Sequence, residues 1–171
     1  MKIQTKAIPI GKEKIIAAVK FATLLAIVVL APAIGQQAIT GSIVNAVLFI
    51  SAATLGVESA ILIGLIPSLI SLSVGLLPAI LAPMVPFIMV GNTILILTFN
   101  FLRKKNYWIG VVTASILKFA FLFGVSSIVV DLLLKKEIAA NVAAMMSWPQ
   151  LLTALAGGLI AYIFLKAAKN I

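Results

Sequence analysis

The sequence contains no cysteine and no histidine. Zinc, haem iron and iron–sulfur clusters are usually held by these two residues, and a disulfide requires cysteine. The sequence therefore predicts no disulfide, no metal site of those kinds and no cofactor. A Gly-rich loop followed by Lys and Ser or Thr is also missing, which excludes a P-loop nucleotide site.

Charged residues are scarce as well. They make up 10% of the 171 residues, whereas 63% are hydrophobic, and the mean hydropathy is +1.26. A water-soluble domain does not have this balance. Because one membrane span takes roughly 20 apolar residues, the length predicts an all-α, polytopic transmembrane helical bundle of about six spans.

Acidic residues are the rarer charge, with 4 Asp and Glu against 13 Lys and Arg, for a net charge of +9. The basic residues lie at the ends of apolar runs and form no stripe of the kind that binds nucleic acid. We interpret them as topology signals and as contacts with anionic lipids of the bilayer. A nucleic-acid partner is not predicted.

The chain divides into a basic cytoplasmic tail, residues 1–14, and a single transmembrane helical domain, residues 15–171. Pro78, Pro83 and Pro86 cannot all lie inside one regular helix, so an irregular backbone is predicted before the fourth span. The apolar runs that predict the spans are 15–34, 38–55, 59–77, 86–102, 107–134 and 151–165.

The first run has two interpretations. A basic start, the apolar segment 21–30 and the small residues Ala31, Pro32 and Ala33 resemble a cleavable signal peptide, but the run is also long enough to span a membrane as a helix.

Six spans place both termini on one side of the membrane. The basic tail, the cluster 103–105 and the basic C-terminal end all fall on that side, and Lys135 and Lys136 fall on the other. Because cytoplasmic loops are enriched in Lys and Arg, we predict a multi-pass protein of the cell membrane with both termini in the cytoplasm.

Lys118 lies within the fifth run, about eleven residues from Tyr107 and therefore roughly 16 Å deep. A cation at this depth needs a polar or anionic partner. Two roles remain open: a structural link between helices through Asn side chains, or a counter-charge for a bound anionic solute.

Other polar residues in or near the spans are candidate companions of Lys118. Asn45 and Asn92 can hydrogen-bond inside a bundle, and Gln37 and Trp148 lie at the predicted outer ends of spans, where they form either a pocket rim or headgroup contacts. The predicted substrate-binding set is Lys118, Asn92, Asn45, Trp148 and Gln37.

Small residues recur every four positions on three spans, and such stripes allow helix backbones to approach closely. Within a bundle they usually serve packing, but on the first helix they could equally form an outward docking face. The stripes are Ala18, Ala22 and Ala26; Ala60, Gly64 and Ser68; and Thr153, Gly157 and Ala161.

This layout resembles the substrate-binding S components of energy-coupling-factor (ECF) importers, which have six hydrophobic helices, cytoplasmic termini and alanines at four-residue spacing on the first helix. The resemblance covers nearly the whole chain. It implies that Ala18, Ala22 and Ala26 contact a transmembrane coupling subunit and that ATPase subunits supply the energy. It also implies a solute held in the outer half of the bundle, largely by the later helices, with Lys118, Asn92 and Trp148 as pocket candidates.

Residues 36–102 are also similar to short bacterial membrane proteins that are sometimes labelled iron hydrogenases. Without cysteine this chain cannot bind an iron–sulfur cluster through thiolates. Without histidine it also lacks the N-terminal ligands of the ECF members that take up nickel or cobalt.

The sequence thus predicts a non-enzymatic, membrane-embedded subunit of an importer that binds a small vitamin-like or precursor solute and depends on partners for ATP-driven transport. The alternative is a structural or assembly subunit of a larger membrane complex without a ligand of its own. An intramembrane enzyme ranks third, because no nucleophile and base occur at a sensible spacing.

Overall fold

The computed structural model describes residues 11–75, 79–133 and 136–169, and the regular elements in these ranges are all helical. The predicted all-α bundle is confirmed. The α-helices are α1 Lys12–Leu30, α2 Gln37–Thr54, α3 Val57–Ser73, α4 Val85–Leu102, α5 Tyr107–Leu133, α6 Lys136–Met145 and α7 Trp148–Ala167. Two 3-10 helices, Ala31–Ile34 and Ala79–Met84, precede α2 and α4.

Five helical stretches of the described residues are long and apolar enough to cross a membrane, and they contain α1, α2, α4, α5 and α7. Helix α3 is apolar but, at 17 residues, slightly shorter. Helix α6 has 10 residues and, at about 1.5 Å per residue, is too short to span. The chain is a multi-pass membrane protein.

Short turns join the long helices and make consecutive helices antiparallel. Gly56, with a φ of 87°, provides the left-handed turn between α2 and α3. Asn106 begins α5 as an N-cap, because its Oδ1 accepts hydrogen bonds from the backbone N–H groups of Trp108 at 2.9 Å and Ile109 at 3.1 Å. We call the end of the bundle that carries these two turns the base, and the opposite end the top.

Proline interrupts the chain before α4, as predicted. Pro83 lies in the 3-10 helix Ala79–Met84, and Pro86 occupies the first turn of α4, where its missing N–H leaves no helical bond unmade. Pro78 and Lys135 lie outside the described residues, as do residues 1–10 of the predicted tail. Helix α1 begins at Lys12, inside the range predicted for that tail.

The helices pack around α2, whose most extensive contact is with α7. One apolar cluster joins α1, α2, α3, α4, α5 and α7, and a smaller one joins Leu81, Met84 and Leu122 to Val142 and Met146 at the top. Helix α1 lies at the edge, and Leu24 and Val28 are its buried residues.

Candidate functional site

The side chain of Lys118 bridges two helices in the middle of the bundle. Its Nζ donates hydrogen bonds to Asn45 Oδ1 on α2 at 2.7 Å and to Asn92 Oδ1 on α4 at 2.8 Å. Lys118 is 3% exposed, and each asparagine is 2% exposed. Lys118 and the two asparagines predicted as its companions therefore form one buried polar cluster.

The amide groups of both asparagines are held by further hydrogen bonds. Asn92 Nδ2 donates to the backbone carbonyl of Gly64 on α3 at 2.9 Å. Asn45 Nδ2 lies 3.5 Å from Thr153 Oγ1 on α7, and that hydroxyl donates to the carbonyl of Gln150 at 3.2 Å. Because the amide N–H groups are engaged elsewhere, both carbonyl oxygens remain turned toward the ammonium group.

The three residues of the cluster lie at a similar depth, which explains how helices of different length bring them together. Asn45, Asn92 and Lys118 are about 9, 10 and 11 residues from Thr54, Leu102 and Tyr107, the ends of their helices at the base. At about 1.5 Å per residue, these offsets correspond to roughly 14–17 Å.

The cluster holds a cation without a carboxylate among its hydrogen-bond partners in the described residues. An ammonium group has three N–H donors, of which the asparagines accept two. A cation at the centre of a spanning helix costs about 2.5–3.5 kcal/mol on insertion scales. Two hydrogen bonds to a charged group, at about 1.5–3 kcal/mol each, are of the size needed to offset that cost. Within the described residues, the third N–H of the ammonium group has no partner.

A cavity of about 260 Å³ lies between this cluster and the top of the bundle, and Lys118, Asn45 and Asn92 line it. Its other walls are mostly apolar, which is typical of sites for small organic molecules. It reaches the surface at Gly35 and Gln36, which are exposed. The apolar lining residues are Val28, Pro32, Val44, Ile63, Pro67, Leu81, Ile88, Met145 and Met146.

Two glutamines meet at the top of the cavity. Gln37 Nε2 at the start of α2 donates to the carbonyl of Met145 at 2.8 Å, and Gln150 Nε2 on α7 donates to the same oxygen at 3.1 Å. Both glutamines line the cavity. Gln37 thus lies where a rim residue was expected, and its hydrogen bond joins α2 to the end of α6.

Trp148, the remaining member of the predicted set, is not among the residues that line this cavity. Its side chain is 65% exposed and stacks on Phe119, with ring centroids 5.4 Å apart. This position on the outside of the bundle agrees with the headgroup interpretation of the residue.

Below the cluster the bundle is closed by aromatic packing. Phe99 contacts Phe49 and Tyr107 edge to face, with centroids 4.8 and 5.5 Å apart, and Tyr107 also packs on Tyr162 at 5.3 Å. The Tyr107 hydroxyl donates to the carbonyl of Gly158 at 2.8 Å. The cavity is therefore shut toward the base.

The contributions of Gly64 and Thr153 to the site were missed by sequence reasoning. Both belong to small-residue stripes, which correctly placed them at helix contacts but gave no sign of a hydrogen bond to an asparagine. Within the described residues, no three or more His, Cys, Asp or Glu side chains are grouped so that they could hold a metal ion.

The predicted partner-interface residues lie away from the cavity. Ala18, Ala22 and Ala26 are all exposed on the outer face of α1. No described residue of this chain covers them.

No protein-family model, no curated protein and no solved structure matches this chain.

Proposed function

We propose that this protein is the non-enzymatic solute-binding subunit of a membrane importer and that it captures a small anionic, vitamin-like or precursor solute. The observation that carries the proposal is Lys118, a buried cation at the floor of an apolar cavity. A solute carboxylate can accept its third N–H, and the apolar walls can cover the rest of a small molecule.

The polarity of the bundle supports import. The cavity opens at the top, whereas Lys12, Lys14, Lys166 and the basic residues 103–105 lie at the base. If the base faces the cytoplasm, as the distribution of Lys and Arg predicts, the cavity opens to the outside. The solute then enters from the side from which an importer collects it.

Partner subunits are part of the proposal because the sequence has no P-loop motif of its own. The exposed stripe Ala18, Ala22 and Ala26 provides a smooth helix face on which a transmembrane coupling subunit can pack. ATPase subunits bound to that partner would supply the energy. This arrangement is the one that the resemblance to S components implies.

Native mass spectrometry of protein extracted gently from its own membrane tests this function. We expect a bound small anion on the wild type, and its loss in Lys118→Met with the copurified ATPase partners retained. Lys104→Met is the matched control, because Lys104 is exposed in the turn at the base, and it should keep the ligand.

A thermal unfolding measurement in detergent accompanies the experiment, because Lys118→Met leaves two amide oxygens without their donor. The alternative, an assembly subunit in which Lys118 only links helices, rests on the two hydrogen bonds to asparagine. It predicts a ligand-free wild type in a stable complex without an ATPase, and that result would overturn the importer proposal.

A further inference from the structure

Ser71 on α3 is an unusual hydroxyl in this chain. The hydroxyls of Ser42 and Ser73 donate to the carbonyl four residues earlier at 2.8 Å, and Thr54 does so at 2.9 Å. This is the common way for a hydroxyl to be satisfied inside a helix. Ser71 Oγ, by contrast, has no hydrogen-bond partner within the described residues and is 2% exposed as a residue.

The position of Ser71 indicates what the hydroxyl can bind. Ser51 and Ser115 also have unpartnered buried hydroxyls in the described part of the chain, but neither lines the cavity, whereas Ser71 does. A buried polar atom without a partner costs free energy in a membrane protein as in a soluble one. Of the three unpartnered hydroxyls in the described residues, Ser71 is the one at which a ligand in the cavity can remove that cost.

The backbone of α3 offers a second polar atom, eight residues before Ser71 and close to the level of Gly64. Pro67 lies inside α3 and has no N–H, so the carbonyl of Ile63 cannot make the usual bond to residue 67. Ile63 and Pro67 both line the cavity. The α3 side of the cavity therefore has, among apolar residues, a hydroxyl and a backbone carbonyl that lacks its helical hydrogen bond.

The Lys118 cluster and Ser71 thus line the same cavity at different depths in the bundle. The Lys118 cluster is level with Gly64, to which Asn92 is bonded, and Ser71 lies seven residues further along the same helix, roughly 10 Å at about 1.5 Å per residue. One hydrogen bond at each end takes up about 2.8 Å. The hydrogen bonds from Lys118 to Asn92 and from Asn92 to Gly64, at 2.8 and 2.9 Å, add a sideways distance between Lys118 and α3. The polar atoms of the solute itself can therefore lie more than about 5 Å apart, the separation required by one six-membered ring with a polar group at each end.

We propose that the solute is a ring-containing monocarboxylate with a hydroxyl or amino group at the end opposite its carboxylate. Lys118 binds the carboxylate and Ser71 binds the second polar group. The cavity volume agrees with this size, since about 150 Å³ suffices for a benzene ring and the cavity measures about 260 Å³. The proposal rests on the function proposed above and adds the chemical class of the solute.

Calorimetry on the purified protein in detergent tests the inference with three probes. These are 4-hydroxyphenylacetate, phenylacetate, which lacks the hydroxyl, and 4-hydroxybenzyl alcohol, which lacks the charge. We expect the wild type to bind the hydroxylated acid about tenfold more tightly than phenylacetate, and the alcohol to show no binding. Ser71→Ala should bind the two acids equally.

Ser73→Ala is the matched control, because its hydroxyl is exposed and bonded within its own helix, and it should keep the wild-type preference. Ser71→Ala should melt at the wild-type temperature or above it, because the change removes an unpartnered buried hydroxyl and breaks no hydrogen bond within the described residues. Equal binding of both acids to the wild type, or a preference that survives Ser71→Ala, would overturn the assignment of Ser71.

Failure of both acids to bind would overturn the proposed solute class. The importer function is judged separately, by whether Lys118→Met loses an anion that copurifies with the wild type. Binding of both acids that depends on Lys118 and not on Ser71 would leave the importer function supported and this inference wrong.

Discussion

Helices α1 and α7 carry stripes of small residues at the same four-residue spacing, but the two stripes have opposite surroundings. Thr153, Gly157 and Ala161 on α7 are buried. Ala18, Ala22 and Ala26 on α1 are exposed. The four-residue spacing therefore identifies a face suited to close helix contact, but it does not say whether the contacting helix belongs to the same chain.

The two stripes differ in burial because α1 and α7 occupy different places in the bundle. Helix α7 packs against both α2 and α5, and a Cβ added at Gly157 would lie 2.7 Å from the backbone nitrogen of Ala46. Helix α1 contacts its neighbours through Leu24 and Val28. At about 100° per residue, Leu24 lies roughly 200° around the helix from Ala22, so the alanines point away from the bundle.

The largest expected effect is that of Gly157→Leu. The new side chain meets backbone atoms of α2 that cannot move aside, so we expect a loss of stability of about 4 kcal/mol or more and little folded protein after extraction. Size-exclusion chromatography and thermal unfolding in detergent measure this loss. A monodisperse Gly157→Leu variant with the wild-type melting temperature would contradict the observed contact between α2 and α7.

A smaller effect is expected for Gly41→Ala on the α2 side of the same contact. The added Cβ would lie 3.0 Å from side-chain atoms of Thr153, which can shift more easily than backbone. We expect destabilisation by about 1–3 kcal/mol, measured by denaturant or thermal unfolding. Gly157→Ala should cost more than Gly41→Ala because its Cβ meets backbone, and the reverse order would contradict this explanation.

The smallest effect on stability is expected for Ala22→Leu on α1. The leucine projects from the bundle into lipid, so unfolding and solute binding should stay at wild-type levels. A bulky side chain nevertheless separates helix backbones, and we expect association with the membrane partner, and hence uptake, to be lost. Copurification of partner subunits and a transport assay in cells measure these two outcomes.

Thr23→Leu is the control for that prediction, because Thr23 is exposed on α1 beside the stripe and should keep the partner. If Ala22→Leu unfolds the protein, the stripe packs inside the bundle and the comparison between α1 and α7 no longer holds. If it keeps full uptake, the proposed docking face is wrong.

The spans were predictable because the bilayer limits their length and because turn residues and charges mark their ends. The second run, predicted at 38–55, is α2 at Gln37–Thr54, and the fourth, predicted at 86–102, is α4 at Val85–Leu102. Lys118 and the two asparagines were identifiable because polar groups are costly in apolar runs. A link from Lys118 to asparagine side chains was one of the two predicted roles, but the sequence alone could not decide it, since the contact depends on how three helices align in depth.

Ser71 could not have been predicted as a site residue. A serine in an apolar run normally bonds the backbone of its own helix, and the absence of that bond is visible only in three dimensions. Trp148, by contrast, was predicted as a site residue but does not line the cavity. An aromatic residue at the end of a span fits both a pocket rim and the lipid interface. Only the packing of Phe119 against it shows that it lies outside the cavity.

The hydrogen bonds around Lys118 divide the helices by how easily each can move. One hydrogen-bond network joins α2, α3, α4, α5 and α7 through Asn45, Gly64, Asn92, Lys118 and Thr153. Helices α1 and α6 contribute no atom to these bonds. Helices α1 and α6 can therefore move without breaking any hydrogen bond of this network. Amide hydrogens of these two helices should exchange with solvent first, while the five joined helices open together.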